Sequence, residues 1–340
     1  MGNEVLYLEL ELPSYWYQDE FDNWKLGNPN VVTFYGRVTD VKRRTLVNEG
    51  AQNYEIHFCS EEYITDRNIK VSKSYPQMTL GDTLSSIFTS SFPNTISSWE
   101  FAQTAGTKTT VIPNWNPLKA INWLASRSID AQYKTPGFFF FQTFYNDGIW
   151  YTQNRSSISS TVNYSVPKFW FLSLDELIDG WGGEVRKTIY YQPITNTSSV
   201  DPNNHYYYMN FSNAMNYEII HNFDTLENAM RGFFNSRLVS HDITHKTWEN
   251  TDFNYVKEFP NYKHTDPNPI FSGVIDSQSK VFTDYVESHL MLASTGTYEV
   301  PTDLKYISSA RINKIQSLNN FRLRLMIPGD GLIQSGDLIN

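Results

Sequence analysis

One cysteine, Cys59, is all that the 340 residues contain. A disulfide framework is therefore excluded, and so is any multi-cysteine metal site. The lone thiol, in "YEIHFCSEEY", has no Lys or Arg beside it in the chain and reads as a small hydrophobe. Cations are also few: 27 Lys and Arg face 36 Asp and Glu, for a net charge of −9. No window forms the Lys/Arg stripe that gripping phosphates requires, which speaks against stable nucleic-acid binding. A mildly acidic surface that lets DNA pass without sticking stays open. Long apolar runs are missing too, since "GFFFF" from Gly137 falls far short of a membrane span. The start, "MGNEVLYLELELPSYW", carries Glu4, Glu9 and Glu11 and no basic segment, so it does not read as a signal peptide. Leu6 stands where a myristoylation pattern needs Ser or Thr. A soluble, non-secreted chain is expected.

Aromatic residues, by contrast, are abundant: 22 Tyr, 22 Phe and 9 Trp make up 16% of the chain. Rings bury large areas and fit a pleated sheet, so this content points to β-rich packing and extensive contact surfaces. It equally fits a sugar-binding surface. Length alone suggests two or three domains.

Along the chain, "EVLYLELEL" alternates with period two and predicts a strand; "VVTFYGRVTDVKRR" and "NYEIHFCSEEY" predict two more. "LGDTLSSIFTSSF" changes to helical spacing at Leu80, Leu84 and Ile87, with Asp82 as a cap or first-turn acid. In "IPNWNPLKAINWLASRS", Trp115 precedes Asn116 at an N-cap position and Pro117 at the first helical one. Leu118, Ile121, Leu124 and Ala125 then form one apolar stripe with Trp123 at its edge. "FFFFQTFYNDGIWYTQ" predicts a hairpin turning at Asn146, Asp147 and Gly148. "SLDELIDGW" completes a compact α/β module. From Glu184 strands return in "EVRKTIYYQPI", "HYYYMNF", "SRLVSHDIT" and "FNYVKEF", with a helix predicted in "NFDTLENAMRGFF". At the end "FRLRLMI" alternates, "PGDG" is a turn and "GDLI" begins another strand.

No catalytic constellation emerges. The pairs Asp19/Glu20, Glu61/Glu62 and Asp175/Glu176 offer the two carboxylates a glycosidase needs. Neighbours on a strand face opposite ways, however, so these pairs read as solvated loops and strand ends. His241 and His245 would sit on one face of a strand but ~13 Å apart, too far to share a metal. Gly329, Gly331 and Gly336 lie in a turn between strands without dinucleotide-binding spacing, and neither a phosphate loop nor a serine nucleophile elbow is present. No catalytic residue, cofactor or metal is assigned. The two tryptophans read as packing rather than cofactor stacking.

Several of these blocks, taken in order, resemble the baseplate hub proteins of contractile-tailed bacteriophages. They are "EIHFCSEEYITDRNIKVSKSY", "VIPNWNPLKAINWLASRS", "GFFFFQTFYNDGIWYTQNRSSISS", "RGFFNSRLVSHDITHKTW" and "LRLMIPGDGLIQSGDLI". The resemblance spans roughly Gly2 to Ile339. It implies a mainly β chain with an α/β insert: two tail-tube-like antiparallel β-barrel domains joined by an α/β module. The barrels would cover residues 1–75 and 185–340, the second with a loop-rich insertion around 250–290, and the module residues 76–184. The family carries further strands before the equivalent of Gly2, so the first barrel is expected to start part-way.

The function implied is structural. Three copies would form a pseudo-sixfold ring that adapts a hexameric tail tube to a trimeric central spike. Its partners would be itself, the spike, the tube or tube-initiator proteins, and the tape-measure and baseplate wedge proteins. DNA would be met only in transit, and the protein, made in the host cytoplasm, would reside in the virion baseplate. A glycan-binding tail or adhesin module and a glycoside hydrolase are the competing readings.

Overall fold

The computed structural model describes residues 4–12, 16–18, 24–26, 30–48, 50–93, 98–146, 165–179, 188–191, 213–221, 224–230, 233–242, 246–259, 280–285, 291–293, 302–318, 321–327, 333 and 335–340.

The chain opens with β1 (Val5–Leu12), the short pair β2 (Trp16–Gln18) and β3 (Trp24–Leu26), then the 19-residue β4 (Asn30–Asn48) and β5 (Ala51–Cys59). β4 is the centre of a β1-β4-β5 sheet, antiparallel throughout. Next come α1 (Glu61–Asn68), β6 (Val71–Met78), α2 (Leu80–Ser91), β7 (Ser98–Phe101), β8 (Lys108–Trp115), α3 (Pro117–Ala125), β9 (Phe138–Asn146), β10 (Ser165–Ser173) and α4 (Leu174–Ile178). The remainder holds β11 (Tyr190–Tyr191), β12 (Asn213–Ala214), β13 (Asn216–His221), α5 (Thr225–Met230), β14 (Asn235–Asp242), β15 (Thr247–Asn254), α6 (Tyr255–Glu258), β16 (Lys280–Tyr285), β17 (Met291–Ala293), α7 (Thr302–Leu318) and β18 (Arg322–Met326).

The fold is mainly β with interspersed helices, as expected. Its sheets are small: β7-β10-β9, β17-β8-β6, β15-β14-β16, and the two-stranded pairs β13-β18, β11-β12 and β2-β3. No barrel closes among the described residues.

The principal core lies in the central segment. Leu84, Ile87 and Phe88 of α2, Ile121 and Leu124 of α3, Ile112 of β8, Phe138 of β9 and Phe171 of β10 have no measurable exposure. Phe88 is the hub of the ring packing, with centroids of Phe169 at 5.0 Å, Phe92 at 5.2 Å, Trp99 at 5.6 Å and Phe101 at 5.7 Å. β10 alternates cleanly between two apolar environments. Phe169 and Phe171 enter this core, while Trp170 and Leu172 join a second cluster with Phe141 and Leu177. A strand buried on both faces explains why "KFWFL" is a continuous apolar run after its lysine.

Several predicted elements change type. The strand expected through "NYEIHFCSEEY" stops at Cys59, and Glu61 begins α1 instead. Ser60 caps that helix by accepting from Tyr63 N–H, and Glu61 and Glu62 place negative charge in its first turn. "FNYVKEF" was expected as one strand. β15 ends at Asn254, whose side chain accepts from Lys257 N–H (3.0 Å) and starts the short α6. "GDLI" forms no strand; the terminal segment is held where Ile189 N–H donates to Asn340 O at 2.7 Å. Of "EVRKTIYYQPI" only Tyr190–Tyr191 is a described strand, and "HYYYMNF" lies outside the described residues.

α7 shows no apolar stripe in its sequence. Tyr306, Ile307, Ala310, Asn313 and Lys314 follow helical spacing and form its inward face. Two of those five are polar, which hides the stripe from any count of apolar residues.

Candidate functional site

The tryptophan helix is the most distinctive local arrangement, and its start is built by two other elements. Asn116 occupies the N-cap position of α3 but makes no side-chain cap bond. Its amide donates instead to the backbone oxygen of Asp66 at 2.6 Å, and it accepts from Lys70 Nζ. The cap comes from Asp66 itself: Oδ1 accepts the Leu118 N–H at 2.7 Å. A carboxylate there satisfies an orphan donor and meets the positive end of the helix dipole. Asp66 is only 6% exposed, so the bond is shielded from water. Local spacing gave no hint of it, because the partner lies 52 residues away.

Of the predicted stripe, Ile121, Leu124 and Ala125 are buried and Leu118 is partly buried; Pro117 and Ala120, outside that stripe, are buried as well. Trp123 stands at the edge, packed on the core and edge-to-face with Trp115 at 5.4 Å. Lys119 Nζ lies 4.8 Å from the Trp115 ring and the Arg127 guanidinium 4.3 Å from Trp123. The four side chains thus make a cation–ring–ring–cation row along the helix flank.

In the adjoining sheet, β9 pairs with β10 from Asn146↔Ser165 to Ser173↔Phe138. The partner of the first aromatic run is therefore the Ser165–Ser173 strand, while Asp147, Gly148 and the second run predicted for the hairpin lie outside the described residues. Lys168 is paired with Glu100 at 2.6 Å and sits 4.0 Å from the Trp170 ring, whose Nε1 donates to Thr143 Oγ1 at 2.7 Å. Gly329 and Gly331 also lie outside the described residues. Gly336 has φ +94, and a Cβ added there would stand 3.1 Å from Phe141 and 3.3 Å from Leu177. Its requirement for glycine is thus a close approach to the module as well as a left-handed backbone.

Among the described residues, Glu61, Asp175 and Glu176 are structurally engaged. Glu61 pairs with Arg37 at 2.9 Å. Asp175 accepts from Thr135 Oγ1 and from Lys314 Nζ, and both members of that ion pair are almost fully buried. Burial pushes the Lys314 ammonium down, opposed by the Asp175 carboxylate. Glu176 belongs to a capping box with Ser173, and burial pushes its carboxyl up. Tyr133 is raised to about 12 by its hydrogen bond to Asp179. Burial also pushes the Cys59 thiol up, away from the nucleophilic thiolate. His241 lies in β14, and His245, Asp19 and Glu20 fall outside the described residues. What this arrangement does is hold elements together: Lys314, and Arg311 through Phe138 O at 3.1 Å, fasten α7 to the module.

No protein-family profile matches the chain, and no curated protein matches it in sequence. Among solved structures, the tail protein from Neisseria meningitidis MC58 is similar at 9% identity and a TM-score of 0.44, over 96% of this chain and 77% of that one. Likeness at that distance carries no weight for fold or function.

Proposed function

We propose that this chain is a structural baseplate hub of a contractile phage tail. Three copies form a pseudo-sixfold ring between the hexameric tail tube and the trimeric spike, and DNA passes through its lumen. The observation that carries the reading is the ordered set of sequence blocks resembling the hub family. The tryptophan block, "VIPNWNPLKAINWLASRS", packs its helix into the aromatic core between strand-rich segments. Two tube-like barrels per chain, at 1–75 and 185–340 around the module at 76–184, would give six similar units from three chains. Because the two units differ, one face can match sixfold symmetry while the other stays threefold. The role needs no catalytic residue, and the net charge of −9 suits a channel through which DNA slides. Native mass spectrometry of the chain, alone and with the cognate spike, tests the proposal. A trimer that binds one spike trimer is expected; a persistent monomer or a homohexameric ring overturns it.

A further inference from the structure

α7 meets the central module through a buried contact between a primary amine and a carboxyl. Lys314 Nζ lies directly against Asp175 Oδ2, and the two side chains are only 4% and 6% exposed. The lysine stem reaches there over Gly137, where an added Cβ would stand 3.4 Å from Lys314 Cδ. Phe259 covers the amine, with its ring centroid 5.3 Å from Nζ, and Tyr255 lies edge-to-face on Phe259 at 5.5 Å. An amine and a carboxyl pressed together away from water are the two halves of an amide.

Two further groups supply what a condensation needs. Thr135 Oγ1 donates to the same Oδ2. That puts a hydrogen-bond donor on the oxygen that carries negative charge in a tetrahedral intermediate. Asp130, 1% exposed, uses Oδ1 to accept the N–H groups of Gln132 (2.7 Å) and Tyr133 (3.0 Å). Its Oδ2 is buried and accepts no hydrogen bond among the described residues. A buried carboxylate oxygen left open in this way costs stability and calls for another use. The Asp130 charge acts on both Lys314 and Glu176, which puts it in this cluster. Glu176 is the other nearby carboxyl, but it already accepts from Ser173 N–H in the capping box. Burial lowers the basicity of Lys314, and the neutral amine is the form that attacks a carboxyl.

We propose that Lys314 and Asp175 condense to an intramolecular isopeptide bond, with Asp130 relaying the proton. In the water-poor pocket the pair first neutralises, one proton passing from Nζ to Asp175 Oδ1. The amine lone pair then attacks Cγ, and Thr135 stabilises the oxyanion on Oδ2. Asp130 takes a second proton from nitrogen and delivers it to the Oδ1 hydroxyl, which leaves as water. One C–N bond forms, one C–O bond breaks, and no oxidant or cofactor is consumed. Contact between the two groups supplies the effective concentration that a free amine and carboxyl lack in water. The bond ties α7 to α4 across 139 residues. With one cysteine the chain has no internal disulfide, and this amide is the covalent tie between the module and the C-terminal strands. Before it forms, the contact is the buried ion pair, and the energetics of substituting that pair belong to this precursor.

The test is the intact mass of the full chain, purified folded, held at neutral pH and then denatured. The expected mass is below the sequence mass by one water. Trypsin should leave Lys314 uncleaved and release a branched peptide joining residues 169–186 to residues 312–322. A mass equal to that of the sequence, with linear peptides cut at Lys314, overturns the proposal. Loss of water without the branched peptide, as a succinimide at an Asp–Gly step would give, overturns it as well. Variants separate the bond from packing. Lys314→Arg keeps a cation against Asp175 and should stay at its own sequence mass. Asp130→Asn leaves the Lys314–Asp175 contact in place. In chain purified unfolded and then refolded, it should slow the loss of water by about a hundredfold, with the circular dichroism spectrum unchanged. Unchanged kinetics would overturn Asp130 as the relay.

Discussion

The central module and the β4–β5 ribbon put similar residues to opposite uses. In the module, Phe and Leu side chains from helices and strands converge on Phe88 and lose contact with water altogether. In the ribbon, Val, Leu and Tyr gathered on one face by two bulges remain outside. The first arrangement stabilises the monomer, and the second adds little until another surface covers it. Substitutions should therefore separate the regions by size of effect and by which measurement registers it.

The largest effect is expected at Phe88→Ala. The side chain is fully buried amid rings at 5.0 to 5.7 Å, and removing it leaves a cavity that those rings cannot readily fill. A loss of about 3–5 kcal/mol in denaturant unfolding is expected. A loss below about 1 kcal/mol would mean that the module is no tighter than the ribbon.

Breaking the buried pair at the foot of α7 should come next. Asp175→Ala leaves the Lys314 ammonium inside without its carboxylate, at a cost of about 3–4 kcal/mol. Replacing both residues by Leu and Met should restore most of that stability, because no isolated charge remains buried. If the double variant is as unstable as the single one, the pair acts by geometry rather than by charge.

The same region should show an alkaline signature. Tyr306 is raised to about 12 by burial and by the carboxylates of Glu258 and Asp175. Its folded pKa thus lies above the unfolded value of about 10, so its contribution is complete below pH 10. That contribution is lost as pH rises from there through about 12. Tyr306→Phe should flatten the fall in melting temperature over this window. Identical slopes for the two proteins would remove Tyr306 from the account.

How far the sequence disclosed these features depended on the range of the interaction. α2, α3 and β14 were legible because their apolar spacing is local. The stripe of α3 was visible, but its cap was not, since Asp66 reaches Leu118 N–H from another helix. α7 was hidden because Asn313 and Lys314 occupy inward positions that period analysis counts as solvent-facing. The ribbon's apolar face was equally hidden, because two bulges put Val38, Val41 and Leu46 out of phase in the sequence while aligning them in space. Asp66→Ala makes the point measurable. It should cost about 1–2 kcal/mol, the usual range for a lost cap, while Asn116→Ala costs less because its side chain does not cap the helix. The reverse order would restore Asn116 to the role its position suggests.

The smallest effect on stability should come from the ribbon, and there the comparison is sharpest. Leu46→Ser removes an apolar side chain that is 70% exposed, so little transfer free energy is lost on unfolding. The opposing Gln52 is already polar and is held by Arg44 at 2.9 Å, so no buried group is left unsatisfied. Unfolding free energy should change by less than about 0.5 kcal/mol, in the range of ordinary surface substitutions. Association is the measurement that should move. If Leu46 is covered in the assembled ring, the variant loses self-association while its melting temperature at low concentration stays the same. A variant that melts markedly earlier as a monomer would show that the ribbon's face is packed within the chain. A variant that associates like the unmodified chain would show that the face is simply surface.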